Sequence, residues 1–152
     1  MTTIAVPSEE MKKEVPTTLI LPDAYQKEAD KKGEDRRFPV LYLLHGYGGN
    51  NESWVTNTTI KELAEEYGVI VVCPDGGFSS WYVDSPEDPP WRYEAFVSKE
   101  LIADIDRRYR TFPRRESRAI AGFSMGGHGA LYLAFRHPEL YGTAVSLSGG
   151  VD

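Results

Sequence analysis

The chain has 152 residues and carries 17 lysines and arginines against 23 aspartates and glutamates, which gives a formal net charge of −6. Its length suits a single domain with its own core, and its acidic balance excludes the basic surface that a nucleic-acid partner needs. No apolar stretch approaches the roughly 20 residues that cross a bilayer, so no membrane partner is expected.

The amino terminus indicates where the protein is located, and the single cysteine limits the disulfide and metal chemistry that the chain can carry out. The opening stretch MTTIAVPSEEMKKEVP has no charged segment followed by an apolar run, so it predicts no signal peptide and favours a cytoplasmic location for the chain as written. A native leader missing from this chain would instead allow secretion. Cys73 is the only cysteine, which excludes an internal disulfide and a cysteine-rich zinc site and indicates a small core residue.

The first part of the chain predicts two edge strands, a loop and a buried strand. The β-branched runs 2–7 and 17–22 both end in proline, which favours two short antiparallel strands at a sheet edge. The charged stretch 25–37 lacks an apolar period and predicts a solvated loop. The nearly continuous apolar run 38–46 is typical of a strand that is buried on both faces.

The remaining elements alternate between helices and strands. Apolar residues at helical spacing predict first a short helix and later a longer amphipathic helix. A buried strand and a loop rich in Gly, Ser and Pro are predicted between these two helices. The predicted ranges in chain order are helix 58–68, strand 69–75, loop 76–91, helix 92–109, strand 118–124, helix 125–137 and strand 142–150. This series predicts an α/β fold with a mainly parallel sheet, right-handed crossovers and helices on both faces.

Ser124 is the candidate nucleophile. It stands in Gly122-Phe123-Ser124-Met125-Gly126, which fits the pattern G-x-S-x-G, with a predicted strand before it and a predicted helix after it. The glycines two positions before and two positions after Ser124 permit a sharp turn, because a Cβ there would collide with the neighbouring backbone. The turn lifts the Ser124 hydroxyl clear of the sheet and brings it near the first N–H groups of the next helix, which favour negative charge. Glycine-serine loops match the same pattern by chance, so the flanking strand and helix carry the interpretation.

A second glycine-rich loop follows the central strand. It reads HGYGG and covers residues 45–49. A loop of this kind offers a backbone N–H to a carbonyl oxygen that is held over the serine. The N–H groups of Tyr47 and Met125 are therefore predicted to form an oxyanion hole, and the plainer alternative is an ordinary glycine turn.

Four stretches of the chain carry a family resemblance. They read LLHGYGGNNESW, VVCPDGGFSSWYVDSP, YEAFVSKELIADIDRRYRT and IAGFSMGGHGALYLAFRHPELYG. In this order they resemble the esterase D family of α/β-hydrolases, which includes S-formylglutathione hydrolase and the acetylxylan and feruloyl esterases. The resemblance implies an α/β-hydrolase fold and hydrolysis of a carboxylic ester through an acyl-serine, with Ser124 as nucleophile and Tyr47 and Met125 as oxyanion donors.

The acid and the base of a catalytic triad have no clear place in this chain. In the α/β-hydrolase fold both follow the nucleophile, whereas only 28 residues (152 minus 124) follow it here. We therefore expect residues 1–152 to form a carboxy-terminally incomplete domain that is weakly active or inactive by itself. An autonomous esterase would need His45, His128 or His137 as its base. Their positions predict other roles: His45 shapes the oxyanion loop, His128 points away from the serine, and His137 caps the last carbonyls of its helix.

Aromatic residues in loops at the carboxyl side of the sheet are candidate substrate contacts. Trp54, Trp81 and Tyr82 are predicted to line a pocket for a small-molecule or sugar-linked ester, and the open alternative is that they anchor the loops to the core. Asp75 and Asp84 are interpreted as turn-forming carboxylates, and the open alternative is that they bond hydroxyl groups of the substrate. The sequence has no metal-ligand spacing and no cofactor motif, so no metal and no cofactor are expected. The alternative function is a catalytically inactive hydrolase fold that binds a ligand.

The last predicted strand offers a surface for association. Residues 143–149 are uncharged and rich in β-formers, and they would form an exposed edge of the sheet. An exposed edge presents unpaired backbone groups to another chain. We therefore expect self-association through residues 143–149.

Overall fold

The strands of the computed structural model follow the predicted alternation. The structure describes residues 1–29 and 36–151. The strands are β1 (Thr2–Ser8), β2 (Lys13–Ile20), β3 (Val40–Leu44), β4 (Ile70–Pro74), β5 (Arg118–Phe123) and β6 (Thr143–Leu147). They form one sheet in the order β1-β2-β4-β3-β5-β6.

Strand pairing confirms an antiparallel edge on a mainly parallel sheet. β1 pairs with β2, and β2 with β4, in antiparallel fashion, whereas the pairs β3–β4, β3–β5 and β5–β6 are parallel. In the β3–β5 pair, Leu44 lies opposite Gly122. Because parallel strands end at the same edge, the loop after β3 and the turn after β5 become neighbours.

The helices agree with the longest sequence predictions. They are α1 (Asp23–Ala29), α2 (Ser53–Asn57), α3 (Ile60–Tyr67), α4 (Tyr93–Ala95), α5 (Ile102–Arg108) and α6 (Met125–Arg136), with a 3-10 turn at Arg115–Ser117. The predicted helix over 92–109 is confirmed as α4, a π-helical segment Phe96–Leu101 and α5, which follow one another without a break. Within the described ranges, no helix has the length and apolarity needed to cross a bilayer.

Alternate residues of the central strands pack into two apolar clusters, one on each face of the sheet. In β4, Val72 belongs to the larger cluster, which includes Leu133 of α6. Its neighbour Cys73 belongs to the smaller cluster, which includes Ala64 of α3. This period of two explains how one apolar run covers both faces. Burial raises the pKa of the Cys73 thiol to about 12, in keeping with a core residue.

Two short helices depart from the sequence predictions. α1 occupies part of the range 25–37 that the sequence predicts as a loop, and tertiary contacts of Tyr25 hold it there: its ring centroid lies 5.4 Å from that of Phe38 and 6.4 Å from that of Tyr109. Residues 30–35 of that predicted loop lie outside the described residues. α2 has only five residues, too few for a helical period to show in the sequence.

β6 lies at the end of the sheet in the described part of the chain. It pairs with β5, and its Val145 and Leu147 side chains are 43% and 45% exposed. These features agree with an open, apolar edge. Self-association through residues 143–149 stays a prediction.

Candidate active site

Ser124 lies in a sharp turn between β5 and α6. Its backbone has φ 53° and ψ −117°, a region that residues other than glycine seldom occupy because the Cβ crowds the backbone. Its N–H donates to the Leu147 carbonyl at 2.9 Å, and its carbonyl accepts from the His128 N–H at 3.0 Å. The neighbouring strand and the first turn of α6 therefore hold a strained conformation, of the kind that clusters at functional sites.

Glycines on both sides of the turn permit this conformation. A Cβ at Gly122 would lie 2.1 Å from the Gly126 carbonyl oxygen, and a Cβ at Gly126 would lie 2.1 Å from the Leu44 carbonyl oxygen. Both obstacles are backbone atoms, which cannot rotate out of the way as a side chain can. The spacing of the two glycines around Ser124 thus has the steric reason that the sequence pattern suggests.

The loop at residues 45–49 lies directly beside the turn. A Cβ at Gly46 would lie 3.4 Å from the Ser124 Cβ. Within residues 1–29 and 36–151, neither the Tyr47 N–H nor the Met125 N–H donates a hydrogen bond to the protein. Met125 also begins α6, whose amino-terminal end favours negative charge. Both N–H groups are therefore available to an oxyanion, and that role stays a prediction.

Hydrogen bonds determine the direction of the Tyr47 N–H. The Gly46 carbonyl, which belongs to the same peptide group, accepts from His45 Nδ1–H at 2.8 Å and from the Gly49 N–H at 3.0 Å. Because a trans peptide is planar, its N–H points away from its C=O, so both bonds also orient the Tyr47 N–H. The Gly76 N–H donates to His45 Nε2 at 2.8 Å, which assigns the ring proton to Nδ1. Sequence reasoning did not identify Gly76, although the glycine pair after β4 was an available signal.

In the described part of the chain, none of the three histidine side chains hydrogen-bonds to the Ser124 hydroxyl. Backbone groups occupy both ring nitrogens of His45. His128 Nδ1 bonds to the Trp81 carbonyl at 3.0 Å. His137 follows the last residue of α6, and its backbone N–H donates to the Leu133 carbonyl at 2.9 Å, which agrees with the predicted capping, while its Nε2 bonds to the Glu94 carboxylate at 2.9 Å. These positions disfavour an autonomous esterase whose base is one of the histidines.

A cavity of about 330 Å³ opens next to the turn. Its lining residues include His45, Gly46, Trp54, Thr58, Phe123 and Leu147. The indole Nε1–H of Trp54 donates to the Leu44 carbonyl at 3.1 Å, which holds the ring as one wall. Phe123, the residue before Ser124, is 52% exposed. The cavity is a candidate acyl or alcohol pocket, and a substrate contact by Trp54 stays a prediction.

Tyr82 does not line this cavity, which corrects its predicted substrate contact. Its side chain is fully buried, and its hydroxyl donates to the His45 carbonyl at 3.0 Å. Trp81 is exposed on one side, and its ring meets the His128 imidazole edge-on at 5.4 Å. A substrate contact by Trp81 stays a prediction, whereas Tyr82 anchors its loop to the core.

The two aspartates near this loop bind backbone groups. Asp75 Oδ1 accepts from the Gly77 N–H at 2.8 Å, and Asp84 Oδ1 accepts from the Ala95 N–H at 3.1 Å. The bond from Gly77, two positions on, agrees with the turn-forming role expected for Asp75. Asp84 instead bonds to a residue 11 positions away, so it ties its loop to α4 and does not form a local turn. Among the residues that the structure describes, no three His, Cys, Asp or Glu side chains come together as a metal site requires.

A buried carboxylate joins α4 to α6. Glu94 accepts hydrogen bonds from the Tyr132 hydroxyl at 2.9 Å, from Arg136 Nε at 2.7 Å and from His137 Nε2 at 2.9 Å. Burial raises the pKa of the Glu94 carboxyl, but the bonds from Arg136, Tyr132 and His137 outweigh it and hold this pKa below its usual range. No sequence pattern indicates this network, since its members are separated by 38 to 43 positions in the chain.

Replacing Glu94 with glutamine is expected to destabilise the protein at neutral pH by about 1 to 2 kcal/mol, because an amide accepts weaker hydrogen bonds than a carboxylate. A carboxyl whose pKa is lowered in the folded state stabilises the protein above its unfolded pKa and loses that effect as the pH falls through the folded pKa. In urea unfolding, the difference between wild type and E94Q should therefore shrink from neutral to strongly acidic pH. The exposed Glu87→Gln is the control, and a pH-independent difference for E94Q would contradict this role.

The chain is similar in sequence to known esterases. Residues 8–152 match the family model described as Putative esterase. An esterase of Mycobacterium tuberculosis (strain CDC 1551 / Oshkosh) is 36% identical over 135 residues, which cover 86% of this chain and 28% of that protein. The acetyl esterase of Caldicellulosiruptor saccharolyticus is 33% identical over 145 residues, which cover 95% of this chain and 54% of that protein.

The fold is also that of a solved esterase. A ferulic acid esterase superposes with a TM-score of 0.80 at 30% identity, over 92% of this chain and 56% of that one. The predicted α/β-hydrolase fold class is confirmed. The chain spans from 28% to 56% of the length of these three proteins.

Proposed function

The chain belongs to the Putative esterase family, as its resemblance to the esterase D group of α/β-hydrolases implies, and from this membership we propose that it carries the nucleophile half of a serine carboxylic-ester hydrolase. The observation that carries the proposal is the turn at Ser124. There a strained backbone holds Ser124 beside the loop at residues 45–49 and at the start of α6, and the Tyr47 and Met125 N–H groups have no partner in the described residues. Tyr47 and Met125 are the proposed oxyanion donors.

In the proposed reaction, Ser124 Oγ attacks the carbonyl carbon of the ester while its proton passes to a general base. The carbonyl oxygen becomes an oxyanion that accepts hydrogen bonds from the Tyr47 and Met125 N–H groups. Collapse of the tetrahedral intermediate expels the alcohol, which takes the proton from the base, and leaves the acyl group on Ser124. Water then attacks the acyl-serine, releases the carboxylic acid and restores the hydroxyl.

We propose that the acid and the base of the triad come from outside the described residues. The three histidines bond to other groups here, and the relatives are longer than this chain. A serine without its base retains only weak catalysis, from oxyanion stabilisation and substrate binding. The chain by itself should therefore be a poor esterase.

The proposed substrate is a small-molecule or sugar-linked carboxylic ester. Two of the relatives are named as an acetyl esterase and a ferulic acid esterase. Trp54 and Phe123 give the cavity beside the turn an apolar wall that suits an acyl chain or ring. The Thr58 hydroxyl donates to the Trp54 carbonyl at 2.6 Å, so this polar group at the wall is already paired. No cofactor, nucleic acid or membrane enters the proposal.

Trp54→Ala is expected to weaken the selectivity for longer acyl groups in a form of the protein that hydrolyses esters. The ratio of kcat/KM for p-nitrophenyl butyrate to that for the acetate should fall about tenfold, because two methylenes lose the indole surface on which they pack. Trp54→Phe loses the bond to the Leu44 carbonyl but keeps an aromatic wall, so it should change the ratio much less than Trp54→Ala does. An unchanged ratio in W54A would mean that the acyl group binds elsewhere.

Covalent labelling with a fluorophosphonate tests the proposed function. The activated serine oxygen attacks phosphorus, fluoride leaves, and a phosphonyl-serine forms. We expect slow labelling of the chain alone and fast labelling of a longer form that includes any downstream segment, with the adduct mapped to Ser124 by mass spectrometry. A binding module without catalysis would show ligand affinity, no adduct and no hydrolysis of p-nitrophenyl acetate in either form.

A further inference from the structure

We propose that Tyr82 positions the oxyanion hole, acting through the loop at residues 45–49. The inference rests on the proposed function, since it concerns the same site. Tyr82 is a positioning residue, because it acts on the Tyr47 N–H through His45 and Gly46. Four features of the structure support this role: a buried hydrogen bond, a clamped ring, two further bonds from the same segment, and the geometry of one peptide.

The Tyr82 hydroxyl is the partner of a carbonyl just beyond β3. It donates to the His45 oxygen at 3.0 Å, and the two residues are 0% and 2% exposed. β3 ends at Leu44, so the His45 carbonyl follows the last residue of the strand. Without this hydroxyl, the carbonyl would be buried with no donor among the described residues, which a native structure rarely tolerates.

The Tyr82 ring is held so closely that its hydroxyl has one direction. A Cβ at Gly76 would lie 2.3 Å from Tyr82 Cε1, and a Cβ at Gly129 of α6 would lie 2.4 Å from Tyr82 Cδ2. Two glycines, one from the loop after β4 and one from α6, therefore admit the ring between them. Trp81 and Tyr82 both have positive φ, at 54° and 59°, a strained pair that the surrounding contacts must stabilise.

The segment at residues 76–82 holds the oxyanion loop at two further points. The Gly76 N–H donates to His45 Nε2 at 2.8 Å, and the Phe78 carbonyl accepts from the Gly48 N–H at 2.8 Å. Together with the Tyr82 bond, these contacts restrain the loop on both sides of Tyr47. The peptide that carries the Tyr47 N–H lies between the restrained points, so its direction depends on them.

A looser loop should affect the transition state more than the bound substrate. The oxyanion carries its charge only as the tetrahedral intermediate forms, so a misplaced donor lowers kcat and leaves KM nearly unchanged. A boronic acid adduct of Ser124 also carries a negative oxygen in the oxyanion hole, so its affinity should fall with kcat. A purely structural role for Tyr82 would lower the melting temperature without changing kcat or boronate affinity.

The test compares Tyr82→Phe with Tyr141→Phe in a form of the protein that hydrolyses p-nitrophenyl acetate. Tyr141 is the matched control, because its hydroxyl is also buried but has no partner in the described residues. Active sites are titrated with a fluorophosphonate, and kcat, KM and the Ki of phenylboronic acid are measured well below the melting temperature. Y82F should lose about tenfold in kcat and in boronate affinity with little change in KM, and Y141F should match wild type.

The outcomes separate this inference from the proposed function. If Y82F has the kcat and boronate affinity of Y141F, the inference is overturned and the proposed function stands. If the wild type shows neither turnover nor labelling, the proposed function fails and the inference fails with it. Should Y82F not fold, p-aminophenylalanine and p-methylphenylalanine at position 82 fill the same space, and only the amino group donates. A higher kcat for the amino form supports the inference, and equal kcat overturns it.

Discussion

Replacing Ser124 with alanine is expected to abolish fluorophosphonate labelling and to lower ester turnover about 10⁴-fold or more in an active form of the protein. The covalent route requires the Ser124 hydroxyl, while the N–H groups proposed as oxyanion donors remain and support only residual turnover. Removing one oxygen from a half-buried side chain should leave the fold intact. Release of p-nitrophenolate and the intact mass after labelling measure the two effects.

Ser146→Ala is the matched control for this substitution. Ser146 lies on β6, its hydroxyl is buried without a partner in the described residues, and it approaches α6 at Gly127. It is therefore a serine near the candidate site but outside the strained turn. S146A should be labelled and should turn over substrate as wild type does. If S124A kept more than about a tenth of wild-type turnover, Ser124 could not be the nucleophile.

Gly126→Ala is expected to lower the free energy of unfolding by about 2 to 4 kcal/mol and to abolish labelling of the nucleophile. In the middle of a helix, alanine would ordinarily stabilise by about 0.5 to 1 kcal/mol over glycine. The steric effect is expected to dominate, because the added Cβ would lie 2.1 Å from the Leu44 carbonyl oxygen. Relief requires α6 to move away from the end of β3, which would carry the Met125 N–H away from the loop at residues 45–49.

Gly150→Ala controls for the general effect of adding a methyl group near the site. The atom nearest to its Cβ would be 3.4 Å away on the Trp81 ring, a side chain that can shift. G150A should change the free energy of unfolding by no more than about 0.5 kcal/mol and should be labelled normally. Urea unfolding followed by circular dichroism gives the stabilities. A G126A protein as stable and as readily labelled as wild type would contradict the steric argument.

The sequence by itself determined the fold class and the place of the turn at Ser124. Periods of two and of 3.6 residues are local properties, so the buried strands and the long helix over 92–109 could be predicted. The glycines around Ser124 and the HGYGG loop are also local, and the order of strands and helices brings both to one sheet edge. The short helices α1 and α2 were not predictable, because one or two apolar contacts leave no period to detect.

Only the tertiary structure decided the roles of Tyr82, Gly76 and Glu94. Tyr82 and Gly76 meet His45 across 37 and 31 positions of the chain, and Glu94 meets Tyr132 and Arg136 of α6 across 38 and 42. A loop position alone suggested that Tyr82 contacts substrate, yet the space left by Gly76 of the same loop and by Gly129 of α6 buries its ring against the core. A local pattern shows which residues can form a strand, helix or turn. Which ring reaches which carbonyl depends on how those elements pack, and packing brings together residues that are far apart in the chain.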